Sequence, residues 1–529
     1  MRKILSLLII MGMVCVYSIN LSGQVFNVGQ SSEWEASGFN NGRRVVRDCT
    51  MFFMGYIHYV WHSQDDPNSP PSAANCDIFY ACTDHFGNIV IPPTNMTQQF
   101  RFFDNRYPAI AIENDGIDNF GNWRQFNTIH LVWQVKKMEN TPYEVFHAKI
   151  PVTQPPMPPA ILTNVKNLSQ TPATESLVPA IAINHYGTSP VTNQTIHVVW
   201  QEEDVTFDPQ NPLNFASDIF YTRSLDSGLT FQGPQSGGLW DNITNTPRNS
   251  QMPSISCCLD TFFGFPINYA GGDSDYATNF VHVSYNEDTD PGGINIFYLL
   301  SMTNGNNWNP PLNVTLFTGG TEETLDGYSN IAADMIDNVH IVFMRHVQRN
   351  EPTNAYAPGL NPTNVNSFPG PDPGMYNALT NRIIYWSNVN PQNINISTDY
   401  DQEFPTVALD RNQNLSVNWQ EFQSMGPAFG DYEIMRIYNN NGVPPTRPLT
   451  PPVYGFWAGL TNDSMDMEND DLFPNLAHKK VATYLLMGAT PGYTEAWTKV
   501  TGNGPAMAMA AMAKNIWSRN NVQRDPAVN

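Results

Sequence analysis

Acidic residues gather at one recurring place in this chain, just after a short apolar segment that ends in an aromatic residue. Asp65 and Asp66 follow "IHYVW" (57–61), and Glu202, Glu203 and Asp204 follow "IHVVW" (196–200). Glu287 and Asp288 follow "VHVSY" (281–285), and Glu421 follows "LSVNW" (415–419). Arg345 stands in the same place after "VHIVF" (339–343), while Arg106 precedes "YPAIAI" (107–112). Two carboxyl groups about 5 to 9.5 Å apart suit acid/base hydrolysis of a glycoside. Several carboxylate oxygens converging on one point suit a divalent cation. The plainer role is a solvated acidic rim, which a net charge of −22 makes the expectation for any one of these residues. His58, His130, His197, His282 and His340 also share one repeat position. One histidine per repeat unit cannot share a metal whose ligands lie at about 2 Å, so each is expected to be bonded within its own unit.

Whether the acids meet depends on the elements that carry them, and those elements repeat. A "P-x-[IVL]-[AS]" start recurs at Pro108, Pro179, Pro253, Ser329, Pro405 and Pro474, at intervals of 71, 74, 76, 76 and 69 residues. A less regular copy, "RVVRDCTMFF" (44–53), precedes them. Each start is followed by the His-Val-Trp-like segment, then by a third segment such as "DIFYAC" or "DIFYTRS". An "N-[hydrophobic]-[ST]" step closes most units, as in "NMT" (95–97), "NLS" (167–169) and "NIT" (242–244). These are β-branched and aromatic segments separated by Gly, Asn, Asp and Pro, so each unit reads as four strands. Four-stranded units in series describe an all-β fold, a β-propeller. Seven blades are expected, with six blades and a carboxy-terminal appendage as the alternative. In a propeller the loops after the second strands open on one face, so the acids above, with Arg106 and Arg345, are candidates to line a single mouth.

One unit contains "SLDSGLTF", with Ser224, Asp226, Gly228, Thr230 and Phe231 in the pattern S-x-D-x-G-x-T-[WF]. "SMTNGNNW" (301–308) and "CTDHFGN" (82–88) are partial copies. On this motif and the repeats, the chain resembles the sialidase-like, Asp-box (BNR-repeat) β-propeller superfamily over roughly residues 44–500. The resemblance implies that the box is a turn between third and fourth strands, away from the ligand face. It also implies, for a catalytic sialidase, three arginines that grip a carboxylate, an Arg-Ile-Pro signature, a tyrosine nucleophile with its glutamate, and an aspartate acid/base. The first unit here reads "GRRVVRDC", and the nearest echo of the signature is Arg106-Tyr107-Pro108. The expectation is therefore a non-enzymatic propeller that binds a glycan, peptide or surface partner through one face. The alternatives are a sialidase-like glycoside hydrolase using the carboxylates of that face, and a structural subunit of an extracellular assembly.

The ends and the composition complete the reading. Arg2 and Lys3, the apolar run Leu5–Tyr17 and Leu21-Ser22-Gly23 form a secretory signal over 1–23, with no membrane insertion expected after its removal. That places the protein outside the cell, in a periplasm or on a cell surface. Residues 24–43 are a lead or a closing strand, 44–500 the propeller, and 501–529 a tail whose "AMAMAAMAKNIW" (506–517) suggests a short helix. The acidic balance repels phosphate backbones and excludes nucleic acid as a partner. Cys76 with Cys82 is a candidate disulfide, Cys49 with Cys82 an alternative, and the adjacent Cys257 and Cys258 are expected as buried thiols. No cofactor and no zinc spacing is found. The acidic run 462–471 is a Ca²⁺ candidate without the spacing of a known calcium loop.

Overall fold

Each repeat folds as a small antiparallel sheet, because its apolar segments favour the pleated backbone and turn-forming residues interrupt them. The computed structural model describes residues 25–31, 36, 39–47, 56–64, 75–84, 87–100, 102–113, 126–138, 141–153, 156, 158, 160–185, 194–204, 217–257, 280–289, 293–315, 324–333, 338–348, 379–389, 391–396, 401–409, 415–424, 430–439, 458–459, 470–477, 481–487, 494–501 and 508–515. The leader, Cys49, Asp65, Asp66 and Cys258 lie outside these residues.

The amino-terminal strand is β1 (Val25–Ser31). The first sheet holds β2 (Val45–Arg47), β3 (Ile57–Gln64), β4 (Cys76–Thr83) and β5 (Ile89–Asn95). The second holds β6 (Asp104–Glu113), β7 (Phe126–Lys136), β8 (Tyr143–Thr153) and β9 (Thr163–Asn167). The third holds β10 (Thr174–His185), β11 (Gln194–Asp204), β12 (Ser217–Ser224) and β13 (Asp241–Asn242). The fourth is built from β14 (Ser250–Cys257), β15 (Val281–Thr289), β16 (Gly293–Ser301) and β17 (Leu312–Asn313). The fifth has β18 (Thr324–Ala333), β19 (Val339–Gln348), β20 (Leu379–Ser387) and β21 (Ile394–Asn395), and a single parallel pair, Ile294 with Leu325, joins it to the fourth. The sixth has β22 (Asp401–Leu409), β23 (Leu415–Ser424), β24 (Gly430–Asn439) and β25 (Ala458–Gly459). The last contains β26 (Asp470–Ala477), β27 (Val481–Met487), β28 (Thr494–Thr501) and β29 (Ala508–Asn515), and β1 completes it.

The first strands of successive sheets touch in cyclic order, β2 on β6, β6 on β10, and so on to β26, which returns to β2. The described strands thus form a closed ring of seven sheets, a β-propeller. Apolar clusters fill the spaces between neighbours. Trp133 packs in the cluster between the first and second blades, Trp200 in the next, and Trp419 between the fifth and sixth.

The two ends meet in the last blade. β1 runs antiparallel to β28 from Val25 opposite Lys499 to Ser31 opposite Thr494. The tail departs from the helix expected for it: β29 is a strand, parallel to β27 and antiparallel to β28. Ala and Met favour a helix in isolation by only tenths of a kcal/mol per residue, about the scale that pairing along both edges overrides. The Cys76–Cys82 disulfide does not form, whereas the alternative partner Cys49 lies outside the described residues. Cys76, Cys82 and Cys257 are all buried. Cys76 and Cys82 lie six residues apart on one strand, β4. That places them about 20 Å apart at the rise of a strand, whereas a disulfide needs Cα atoms within about 7 Å.

One device recurs at the centre. Each of five inner strands carries a bulge where Tyr107 (φ 51°), Val178 (43°), Met252 (54°), Tyr328 (52°) and Phe404 (50°) take left-handed backbone. Bulky residues seldom adopt that region, and here the bulge turns each side chain into the hub. There they surround Phe39 in a single buried cluster. The segment containing Phe39 fills the hub and reads the bulges. Asn41 Nδ2 donates to Val178 O (2.8 Å) and Pro253 O (3.0 Å), and Asn40 Nδ2 donates to Tyr328 O (2.7 Å) and Pro405 O. Arg43 O accepts from Ile110 N–H at 2.8 Å, and Arg44 O from Val60 N–H at 2.9 Å. Burial in this hub lowers the Arg44 guanidinium to about 9.

The outer ends of the blades share a polar stitch. Thr97, Ser169, Thr244 and Thr315 each accept through the side-chain oxygen from a third-strand N–H, those of Ile78, Val145, Ile219 and Ile296. Asn95, Asn167 and Asn242 donate to Asp77, Glu144 and Asp218. The phase-locked Asn-x-Ser/Thr steps are therefore structural joints.

Candidate functional site

Among the described residues, the acids that follow the second strands are each held by partners of their own blade. Glu202, Glu287 and Glu421 occupy equivalent places and are 5%, 5% and 1% exposed. Each is held within its own blade. Glu202 Oε2 accepts from Ser176 Oγ and Trp200 Nε1, both at 2.7 Å, and Oε1 accepts from Thr174. Glu421 Oε2 accepts from Gln402 Nε2 (2.8 Å) and Trp419 Nε1 (3.2 Å). Glu287 Oε2 accepts from Ser250 Oγ (3.1 Å) and Thr246 Oγ1 (3.4 Å). Arg345, in the same place of the fifth blade, meets Asp326 through Nε at 2.7 Å and Nη2 at 3.0 Å, and covers the Phe343 ring at 5.5 Å. Asp288 accepts from Asn249 Nδ2 at 2.5 Å. Asp204 pairs with Thr174 along the backbone of β11, and its side chain is outside the described residues. Strand alternation explains the burial, since Glu202, Glu287 and Glu421 stand two residues past Trp200, Tyr285 and Trp419 and so point to the same side as those rings.

Groups at the mouth of the second and third blades remain accessible. Arg106 Nε lies 3.0 and 2.8 Å from the two oxygens of Asp104, and both side chains are 16% exposed. Asp104 also accepts from Tyr143 O–H at 2.5 Å and Cys76 N–H at 3.0 Å. Lys136 Nζ stands 5.2 Å from the centre of the Tyr143 ring. Phe102, just before β6, and Met138, between β7 and β8, lie at the same end of the second blade and are each 72% exposed. Burial, then Asp104, raises the Tyr143 hydroxyl above its ordinary range, so it stays a donor.

Beside this network two carboxyls face each other directly across a strand pair. Glu175 of β10 is the register partner of Glu203 of β11. Opposite residues of such a pair have Cβ atoms about 5 Å apart, and like charges there oppose ionisation. Burial first, with Glu175 and Glu202 nearby, pushes Glu203 up to about 7, although Gln201 Nε2 donates to it at 2.5 Å. Glu175 is also raised by burial, against the Tyr143 N–H it accepts at 2.5 Å. Sequence reasoning missed Asp104, Tyr143 and Glu175. Asp104 and Glu175 each stand three residues before a bulge residue, so the position before "P-x-[IVL]" was the available signal.

The residues of "SLDSGLTF" close a turn at the far end of the third blade, since Ser224 pairs with Ile196 at one end of β11 and Ser217 with Glu203 at the other. Gly228 N–H donates to Ser224 Oγ (2.7 Å), Thr230 N–H to Asp226 Oδ1 (2.7 Å) and Thr230 Oγ1 to Asp226 Oδ2 (2.6 Å). Gly228 has φ +79°, and Phe231 sits edge-on to His147 at 4.7 Å. "SMTNGNNW" builds the same turn with Thr303 in place of the aspartate: Gly305 N–H donates to Ser301 Oγ at 2.8 Å, and Asn307 N–H to Thr303 Oγ1 at 2.9 Å. Among the described residues no group of three or more His, Cys, Asp or Glu could hold a metal ion. The acidic run 462–471 lies outside them except for Asp470 and Asp471, the first residues of β26. No helix among them is long and apolar enough to cross a membrane.

No family model and no curated protein matches the chain. Among solved structures, it is similar to a polysaccharide lyase of the PL25 ulvan lyase family bound to -[GlcA(1-4)Rha3S]-, at 10% identity and TM-score 0.43, covering 91% of this chain and 95% of that one. It is similar to the α-L-arabinanase of Penicillium chrysogenum complexed with arabinobiose, at 8% identity and TM-score 0.39, covering 78% and 98%. A protein of unknown function from Dyadobacter fermentans stands at 10% identity and TM-score 0.38, covering 78% and 94%.

Proposed function

We propose that this is an exported propeller that binds a glycan or a protein partner through its mouth face, centred on the second and third blades. The observation that supports this is the pair of exposed apolar side chains, Phe102 and Met138, at the same end of the second blade as the fixed Asp104–Arg106–Tyr143 network. An apolar surface beside a few oriented polar groups is the usual composition of a ligand site. The carboxylates with the best claim to shared chemistry, Glu202, Glu287 and Glu421, are occupied in bonds within their blades. The mature chain, screened on a glycan array and against a peptide library, should bind a defined ligand class. Phe102→Ala with Met138→Ala should weaken that binding about tenfold or more while the melting temperature holds. Retention of full affinity by this double variant sinks the assignment of the site.

A second reading is favoured by one specific pairing, Glu175 opposite Glu203 with the Glu203 carboxyl near 7. An acid of that strength beside a second carboxylate suits glycoside hydrolysis. Turnover on a panel of fluorogenic glycosides, lost in Glu203→Gln and retained in Glu287→Gln, would replace the binding reading with this one.

A further inference from the structure

The second blade breaks a pairing that four others keep. In the first, third, fourth and fifth blades, the repeat-position histidine bonds a tyrosine of the third strand. The pairs are His58–Tyr80 (2.8 Å), His197–Tyr221 (2.7 Å), His282–Tyr298 (2.8 Å) and His340–Tyr385 (2.7 Å). In the second blade the tyrosine's place is taken by His147, whose Nε2 lies 2.9 Å from His130 Nδ1. His130 Nε2 in turn lies 3.2 Å from Glu113 Oε1. Both imidazoles are fully buried, and the rings stack at 5.2 Å.

The turn 224–231 of the third blade is the lid over this pair. A β carbon on Gly228 would come within 2.8 Å of His147 Cε1 and 3.2 Å of His130 Cε1. Asn164 Nδ2 of β9 donates to Gly228 O and fastens the lid. The turn at Gly305 covers the His197–Tyr221 pair in the same manner, so close that a β carbon there would collide with the Tyr221 hydroxyl. The molecule therefore holds two equivalent lids, one over two imidazoles and one over an imidazole and a phenol.

We propose that the His130–His147 pair makes the junction of the second and third blades an acid-sensitive latch, closed while both rings are neutral and loosened when the lid opens and both take up protons. Among the charged neighbours, Glu113 of β6 favours a proton on His130 and also meets Ser227 of the lid, while Lys149 of β8 opposes a proton on either ring and Lys166 of β9 opposes one on His147. The lid's own carboxylate, Asp226, is committed to Thr230 and Ser224. His147 Nδ1 is buried without a hydrogen-bond partner, so a proton placed there would be an uncompensated interior charge. Burial, then the neighbouring cations, holds His147 well below its ordinary range, and burial lowers His130 against the opposing pull of Glu113.

Both imidazoles bind protons less well in the closed state than in the open one. The latch is thus at full strength above about pH 6.5 and weakens as pH falls below it. Opening at Gly228 exposes two histidines and opening at Gly305 exposes one. Native-state hydrogen exchange, corrected for intrinsic rates, should show Gly228 amide protection falling more steeply with pH below about 6.5 than that of Gly305, by up to about 100-fold per pH unit against about tenfold. His147→Tyr restores the pairing of the other blades and should bring the Gly228 slope down to that of Gly305. His147→Phe, equally unable to titrate, serves if the tyrosine variant does not fold. Equal slopes at the two glycines in the parent protein, or a Gly228 slope unchanged by loss of the His147 imidazole, overturn the proposal.

Discussion

Individual side chains carry the most direct consequences. Glu203 has a folded pKa of about 7, above its unfolded value, so folding favours the protonated acid. Its contribution is fully present below about pH 4.5 and is lost as pH rises through about 7. Glu203→Gln should therefore be more stable than the parent at pH 8, by up to about 3 kcal/mol, with the difference closing by about pH 4.5. Thermal melts across that range test the sign, and a variant that is less stable at pH 8 contradicts the burial argument. Gly228 makes the opposite kind of claim. Its φ of +79° and the 2.8 Å approach to His147 leave no room for a methyl group. Gly228→Ala should cost about 1 to 2 kcal/mol, measurable by denaturant unfolding, and a neutral result would show that the lid moves aside freely. At this scale each repeat-position histidine is bonded within its own blade, as the sequence spacing suggested. Which residue answers each histidine was a matter of register between second and third strands, and repeat alignment at Tyr80, Tyr221 and His147 contained it.

Among the elements, the inner strands and the hub segment depend on one another. Five bulges point their carbonyls and bulky side chains inward, and Asn40 and Asn41 collect four of those carbonyls. Asn41→Leu keeps the volume and removes both donations, leaving Val178 O and Pro253 O without this partner. Such a loss costs about 1 to 3 kcal/mol per buried group, so the variant should unfold at clearly lower denaturant concentration with an unchanged m-value. An unaltered midpoint would mean that water replaces the amide. The strand pattern was legible in sequence because alternation and turn residues are local. The bulges were not, because a left-handed Tyr107 or Phe404 contradicts local preference and is stabilised only by the hub it faces. The tail failed for the same reason: the intrinsic preference of Ala and Met is small, and β27 and β28 decide it.

At the scale of the whole molecule, closure is the governing requirement. β1 enters the last blade beside β28, and the segment a few residues later fills the hub, so the amino-terminal residues act at both the rim and the centre. Removing residues 24–35 deletes β1 while sparing Phe39 to Arg44. The truncated chain should lose several degrees of melting temperature and expose β28 as an unpaired edge, visible as concentration-dependent association in sedimentation velocity. A monomer of unchanged stability would show that the ring closes without this strand.

The sequence by itself determined the repeat, the four-stranded unit, the all-β class and the place of "SLDSGLTF" as a turn. All of these follow from spacing and alternation, which are properties of the chain read in order. Tertiary structure alone decided what holds each acid. Glu202 and Glu203 are adjacent in sequence and both buried, yet strand alternation sets one against Trp200 and the other opposite Glu175. It also decided that Cys76 and Cys82 stay apart, that the lead threads the hub, and that one histidine pair lies beneath a neighbouring blade's turn. The physical reason is common to these cases: each depends on what lies across a strand or across a blade interface, and a neighbour tens or hundreds of residues away leaves no mark on local pattern.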